Sequence, residues 1–297
     1  MSAVKKKYLS YFGLFFVAMI WGLAFTVVKT TLDFVPPVYM IAIRFSIASV
    51  VISLIFWKKL KSLNIRNIKH GVLIGVFLFL AYLTQTIGCK YTTAGKNAFL
   101  TALYIIVIPF LHWFISKKRP QLRLFLAAFL GIVGIGLISL QNDFSINIGD
   151  ALTIACGILY AFQIVYIDKY TENDDPVILT ILQMIVSAVL GWVCAPFFDG
   201  AFPAASMQRG DVWMGLLYLG LLSTLLCFFL QTLCQKYTKP ENASLIMSTE
   251  SVFGALGSVI FLGETISGKT LIGCIIMMVA ILLAQIAPKK ANGKKKP

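Results

Sequence analysis

Glu250, Arg44 and Gln183 all stand inside strongly apolar runs, where a polar group is kept only for a reason. Glu250 is the one carboxyl well within such a run. Away from water a carboxyl favours its neutral form, which suits either a proton carrier or a structural hydrogen bond to a neighbouring helix. Arg44 comes seven positions after Pro37, and Gln183 seven after Pro176. At about 1.5 Å per helical residue each lies roughly 10 Å beyond its proline. In hydrocarbon an arginine costs at least about 2.5 kcal/mol unless it snorkels, pairs or faces water. It either snorkels onto loop carbonyls or offers a carboxylate or phosphate one fixed contact.

Polar lines at helical spacing accompany these three: Tyr82, Gln85, Thr86 and Cys89; Asn97, Thr101 and Tyr104; Tyr160 and Gln163; Thr224, Cys227 and Gln231. Singly such residues satisfy helix contacts, and together they fit one polar cavity with Trp21, Phe25, Tyr104 and Tyr160 among its walls. His112 has no second His, Cys or acidic residue at a metal spacing and reads as packing. There is no phosphate-cradling loop. One Glu, one Arg and one peripheral His do not supply the convergent acid, base and nucleophile of an enzyme. No cofactor is expected.

The elements that must hold these groups are membrane spans. The 297 residues are 59% hydrophobic and 13% charged, too little polar surface for a soluble core of that size. About 20 apolar residues cross a bilayer, which predicts ten spans. They run approximately Tyr8 to Val28, Val38 to Trp57, Gly71 to Gly88, Asn97 to Ser116 and Leu122 to Leu140, then Gly149 to Ile167, Pro176 to Phe198, Val212 to Cys234, Asn242 to Leu262 and Thr270 to Ala287. Six cysteines in or beside these runs read as small apolar packing residues. The 26 Lys and Arg against 12 Asp and Glu would suit nucleic acid, but they lie in short runs between apolar segments. They act there as topology signals: the terminal segments and the loops sharing their side hold Lys5 to Lys7, Lys58 to Lys69, Lys117 to Arg123, Lys169, Lys236, Lys239 and the tail lysines. The opposite loops hold only Lys29, Lys90, Lys96, Arg209 and Lys269. The positive-inside rule therefore predicts both termini on the cytoplasmic side.

The stretch Gln85 to Thr92, followed by Asn97-Ala98, returns as Gln231 to Thr238, followed by Asn242-Ala243. Two copies of one unit are predicted, residues 1–142 and 143–288, with a basic tail at 289–297 that attracts anionic lipid. Five spans per copy turns the second copy upside down relative to the first. The fold class is thus an all-α integral membrane protein of ten transmembrane helices in two inverted five-helix repeats. Gly13, Gly22, Gly131, Gly134 and Gly136 allow close packing, and Ser244, Ser248, Ser251, Ala255 and Ser258 form a small-residue stripe suited to it.

Several stretches together resemble the EamA-type transporters of the drug/metabolite transporter superfamily. They are Ala18 to Phe25 with Trp21-Gly22, then Lys29, Pro36-Pro37 and Arg44-Phe45; Gln85 to Thr101 with Pro109; Thr249 to Phe253; and Leu262-Gly263-Glu264. The resemblance covers Phe12 to Ala287. Ser251 stands where that family usually has proline, so no kink is expected beside Glu250. Lys118-Arg119 stand where the first half often carries Gly-Glu. The resemblance implies a central cavity between inverted repeats and transport of small metabolites, often amino acids and often outward.

The residues and the resemblance together predict a secondary transporter in a bacterial or archaeal cytoplasmic membrane, working by alternating access on a small polar or amphipathic substrate. Its contacts are Trp21, Arg44, Tyr82, Gln85, Asn97, Thr101, Tyr104, Tyr160, Gln163, Gln183, Gln231 and Glu250. Partners are that substrate, the lipid bilayer and, through Glu250, a coupling proton; nucleic acid is not among them. An intramembrane enzyme or flippase for lipid-linked groups, and a non-transporting sensor, remain the alternatives.

Overall fold

The computed structural model describes residues 3–116, 122–139, 146–238 and 240–285. Every regular element among them is helical. The helices are α1 Ala3–Thr31, α2 Pro37–Ile55, α3 Trp57–Leu60, α4 Ile65–Tyr91, α5 Ala94–Thr101, α6 Tyr104–Ser116 and α7 Leu122–Ser139. After residue 145 follow α8 Ile148–Thr171, α9 Pro176–Phe198, α10 Gly210–Leu217, α11 Cys227–Gln235, α12 Pro240–Met247, α13 Glu250–Leu262 and α14 Gly268–Gln285. Among the described residues eight helical stretches are long and apolar enough to cross a bilayer. The fifth and tenth expected spans are shorter apolar helices, Leu122–Ile138 and Gly268–Leu283. Their expected continuations at residue 140 and residues 286–287 lie outside the described residues, as do Lys117 to Arg119 and the tail.

Two spans are broken, and the breaks position the site. The fourth divides at Ala102-Leu103 into α5 and α6, and the ninth at Ser248-Thr249 into α12 and α13. Glu250 begins α13, so the interruption beside it forms without the proline. The serine stripe supplies the cause. Ser248 Oγ donates to the Leu245 carbonyl at 2.6 Å, Thr249 Oγ1 to Ile246 at 2.7 Å and Ser251 Oγ to Ser248 at 2.8 Å. Hydroxyls bonded back into their own helix compete with the backbone ladder and bend it.

A third irregularity lies between α10 and α11, where Tyr218–Leu226 is a π-helical stretch. Such wider turns recur at functional positions. Elsewhere the ends are conventionally closed. Pro36-Pro37 opens α2, and the Asp199 carboxylate accepts from the free N–H groups of Val38 and Tyr39 at 2.7 and 2.9 Å. Burial pushes the Asp199 carboxyl up, against the pull of those two N–H groups. Gly263 takes a left-handed φ of 65° after α13, which turns Glu264 back so that its carboxylate accepts from Ala94 N and Gly95 N at the start of α5. That contact gives the Leu-Gly-Glu sequence its physical reason.

At the crossing beside Glu250 the close approach of helices depends on glycine. A Cβ on Gly22 of α1 would lie 2.3 Å from Phe253 Cβ and 2.7 Å from the Glu250 carbonyl. Gly254 opposite is equally tight, since a methyl there would stand 2.4 Å from Ala98 Cβ. The helix carrying Glu250 is thereby pressed onto α1 and α5.

Candidate functional site

Arg44 leaves α2 toward the bundle interior and is 2% exposed, so it does not snorkel. Its Nε donates to Thr224 Oγ1 at 2.8 Å and its Nη2 to Ser223 Oγ at 2.9 Å and the Leu219 carbonyl at 3.3 Å. All three acceptors belong to the π-helical stretch. The guanidinium also lies 4.7 Å from the centre of the Tyr82 ring. Among the described residues no carboxylate stands within 4.0 Å of it. The cation is solvated by neutral dipoles and left without a counter-charge.

Glu250 is 3% exposed, and its Oε1 accepts from the Tyr104 hydroxyl at 3.1 Å. Tyr104 begins α6 just as Glu250 begins α13, so each group sits at the broken point of its span. Trp21 Nε1 donates to the Ser223 carbonyl at 2.7 Å, joining α1 to the same π-helical stretch. Gln85 Nε2 donates to Thr101 Oγ1 at 3.2 Å. Tyr82 meets Tyr160 edge to face at 5.9 Å.

These groups line one cavity of about 40 Å³. Trp21, Arg44, Tyr82, Gln85, Thr101, Tyr104, Tyr160, Gln231 and Glu250 all line it, and Phe25 adds a further aromatic wall. A water needs roughly 10 to 15 Å³, so the space admits a few waters and no metabolite in this conformation.

Three expected contacts lie elsewhere. Asn97 is fully buried and ties helices together, its Nδ2 donating to Thr153 Oγ1 at 2.8 Å and to the Gln85 carbonyl at 3.2 Å. Gln163 Nε2 donates to Gln183 Oε1 at 3.1 Å, and Gln183 Nε2 reaches Thr232 Oγ1 at 3.4 Å. This amide pair does not line the cavity, although α8, which carries Gln163, reaches it through Tyr160 and Ile164. The His112 side chain lies outside the described residues.

Ser223 is the polar lining residue that spacing did not mark, beside the apolar Ala24, Val28, Ile164 and Met247. In an α-helix Ser223 and Thr224 would point about 100° apart. In the wider π turn both hydroxyls bond Arg44. The available signal was only their adjacency to the Thr224, Cys227, Gln231 line.

The structure is thus a helical multi-span membrane protein with a cavity at its broken helices, lined by aromatic, amide and charged side chains. The sequence model of the EamA-like transporter family matches residues 9–140 and again 147–285. The chain is 32% identical to an uncharacterized transporter of Archaeoglobus fulgidus, over 95% of this chain and 87% of that protein. It is 22% identical to the uncharacterized transporter YvbV of Bacillus subtilis, over 92% and 90%. A solved crystal structure with 16% identity superposes with a TM-score of 0.69 over 94% of this chain and 96% of that one, which fixes the fold alone. The chain belongs to the EamA-like transporter family and is a membrane transporter.

Proposed function

We propose that this protein is a secondary transporter that moves amino acids or related small polar or amphipathic metabolites out of the cell by alternating access. One observation carries the reading: a buried guanidinium, Arg44, without a carboxylate partner among the described residues, shares an aromatic-walled cavity with a buried carboxyl, Glu250. An uncompensated buried charge is costly and is relieved by an opposite charge that arrives with a ligand. Arg44 is the contact for a substrate carboxylate. Glu250 takes the substrate ammonium or a coupling proton. Tyr82, Trp21, Phe25, Tyr104 and Tyr160 pack against the remainder. The cavity widens on loading, since its present volume excludes any such compound.

In this reading ten spans form two inverted repeats, residues 1–142 and 143–288, in a bacterial or archaeal cytoplasmic membrane with both termini inside. The equivalence of Tyr104 and Glu250 supports it: they are 146 residues apart, each directly after a helix break, and in contact. Gln85 and Gln231 stand at the same interval and line the same cavity.

The test is counterflow in proteoliposomes preloaded with mixed unlabelled amino acids or nucleosides, following entry of labelled members. Exchange in the parent protein is expected, with labelled amino acids entering. Folded protein that exchanges no member of either panel would sink the substrate class.

A further inference from the structure

The polar face of α11 continues past the cavity floor. Gln231 lines the cavity, Gln235 follows four residues later on the same face, and Thr238 stands in the turn that ends the helix, its N–H bonded to the Gln235 carbonyl. All three are at most 5% exposed. Gln231 Oε1, both amide atoms of Gln235 and Thr238 Oγ1 have no hydrogen-bond partner. Gln163 Oε1 on α8 is in the same state, although its Nε2 is bonded through Gln183 to Thr232 of α11. Buried polar atoms are nearly always paired, so a cluster of orphans requires a reason.

The first-half counterpart sharpens the contrast. Gln85, Cys89 and Thr92 occupy the positions 146 residues earlier, with a thiol in place of the Gln235 amide. Gln85 Nε2 bonds Thr101, the Thr92 hydroxyl bonds Asp150, and none of the three has an orphaned buried atom. Among the described residues Asn97 Oδ1 and Thr26 Oγ1 of the first half are also unpartnered, but only in the second half do the orphans follow one another at Gln231, Gln235 and Thr238.

We infer that Gln163, Gln231, Gln235 and Thr238 form the closed half of the translocation path between the cavity and the Lys236 face. Gln235 is its intermediate contact, donating Nε2–H to a substrate carboxylate or accepting at Oε1 from a substrate ammonium. The substrate role rests on the transport reading above. The opening of the strip does not.

Two measurements decide it. In a folded full-length background with the six native cysteines replaced, Gln235→Cys and Lys236→Cys are treated with a charged, membrane-impermeant thiosulfonate applied to one side at a time. Lys236→Cys reacts freely from its own side. Gln235→Cys is expected to react from that side only, roughly tenfold or more slowly, because the strip opens for part of the time. No reaction at Gln235→Cys while Lys236→Cys is labelled would make the strip sealed core and overturn the proposal. In the native-cysteine background, Gln235→Leu removes the orphaned amide. Its unfolding midpoint is expected to rise while counterflow falls roughly tenfold, with Gln235→Asn retaining most of the parental rate. A raised midpoint with unchanged counterflow would mean that the amide serves no step of transport. A parent that exchanges nothing counts against the transport reading, and the labelling still decides whether the strip opens.

Discussion

Exchanging the Glu250 carboxyl for an amide keeps its size and its acceptor oxygen, so the Tyr104 hydroxyl retains its partner and the fold is preserved. Glu250→Gln is expected to lower counterflow roughly tenfold or more and to abolish its pH dependence. Parental transport across the whole pH range would remove Glu250 from the cycle. At Arg44 the decisive comparison is between an acid and its ester. Arg44→Lys keeps a positive charge but cannot hold Thr224, Ser223 and the Leu219 carbonyl together, because an ammonium lacks the guanidinium's planar fork. It is expected to weaken exchange of carboxylate-bearing substrates by about tenfold and to affect their esters less. An equal loss for both would assign Arg44 a purely structural part. These two residues were legible because a charge inside an apolar run is conspicuous. Asn97, Gln163 and Gln183 were equally conspicuous yet lie off the cavity. Periodicity fixes the face of a single helix, and the neighbour across that face depends on packing.

The same limit holds for helices. Long apolar runs gave the spans of α1, α2, α4, α8 and α9 almost directly, since length and hydropathy are local properties. The breaks at Ala102-Leu103 and Ser248-Thr249 were not visible, because neither contains a proline; Pro109 lies inside α6 instead. Nor was the π-helical stretch, whose residues would suit an ordinary helix. Ser248 and Ser251 looked like packing residues, and their hydroxyls, with that of Thr249, instead bond backward to carbonyls and interrupt the helix at Glu250. Gly22 is where element packing reaches the site. Gly22→Ala places a methyl against Phe253 Cβ and the Glu250 backbone, so α13 must move. Overpacking of this kind costs about 1 to 3 kcal/mol. A lower unfolding midpoint in detergent is expected for Gly22→Ala, with Gly268→Ala, which meets nothing within 4 Å, as the neutral control. Equal midpoints for the two variants would show that α1 and α13 are not held at this crossing.

Across the whole molecule the acidic residues are unevenly placed: of the 12, only Asp33 lies before residue 143. The second half uses its carboxylates to grip the first. Glu264 caps α5 and Asp199 caps α2. Lys96 of the first half meets Asp150, and Asp174 gathers Asn67 Nδ2 at 3.0 Å, Arg66 at 2.9 Å and His70 Nδ1 at 2.6 Å. The asymmetry is readable in the sequence, whereas the pairing needs the folded chain. Asp174 and its neighbour Asp175 allow the grip to be weighed on one face. The Asp174 side chain is fully buried, and Asp174→Ala strands Asn67, Arg66 and His70 together. With Arg66 partly in water, a loss of about 2 to 4 kcal/mol is expected. Asp175 bridges Lys59 with both side chains over a third exposed, so solvent screening limits the bridge's share of the Asp175→Ala loss to below about 1 kcal/mol, and its cap on the Val177 N–H adds about 1 kcal/mol more. Burial works against the charged Asp175 carboxylate, but Lys59 and the Val177 N–H outweigh it and hold the carboxyl below its ordinary range. A lowered folded-state pKa contributes stability that is present above the ordinary carboxylate range and is lost as acid titrates the folded carboxyl. Unfolding midpoints measured from neutral pH into acid should therefore separate parent from Asp175→Ala slightly at neutral pH and bring them together in acid. A gap that widens in acid would mean that the bridge is not what Asp175 contributes, and equal losses for Asp174→Ala and Asp175→Ala would remove burial as the reason one grip outweighs the other.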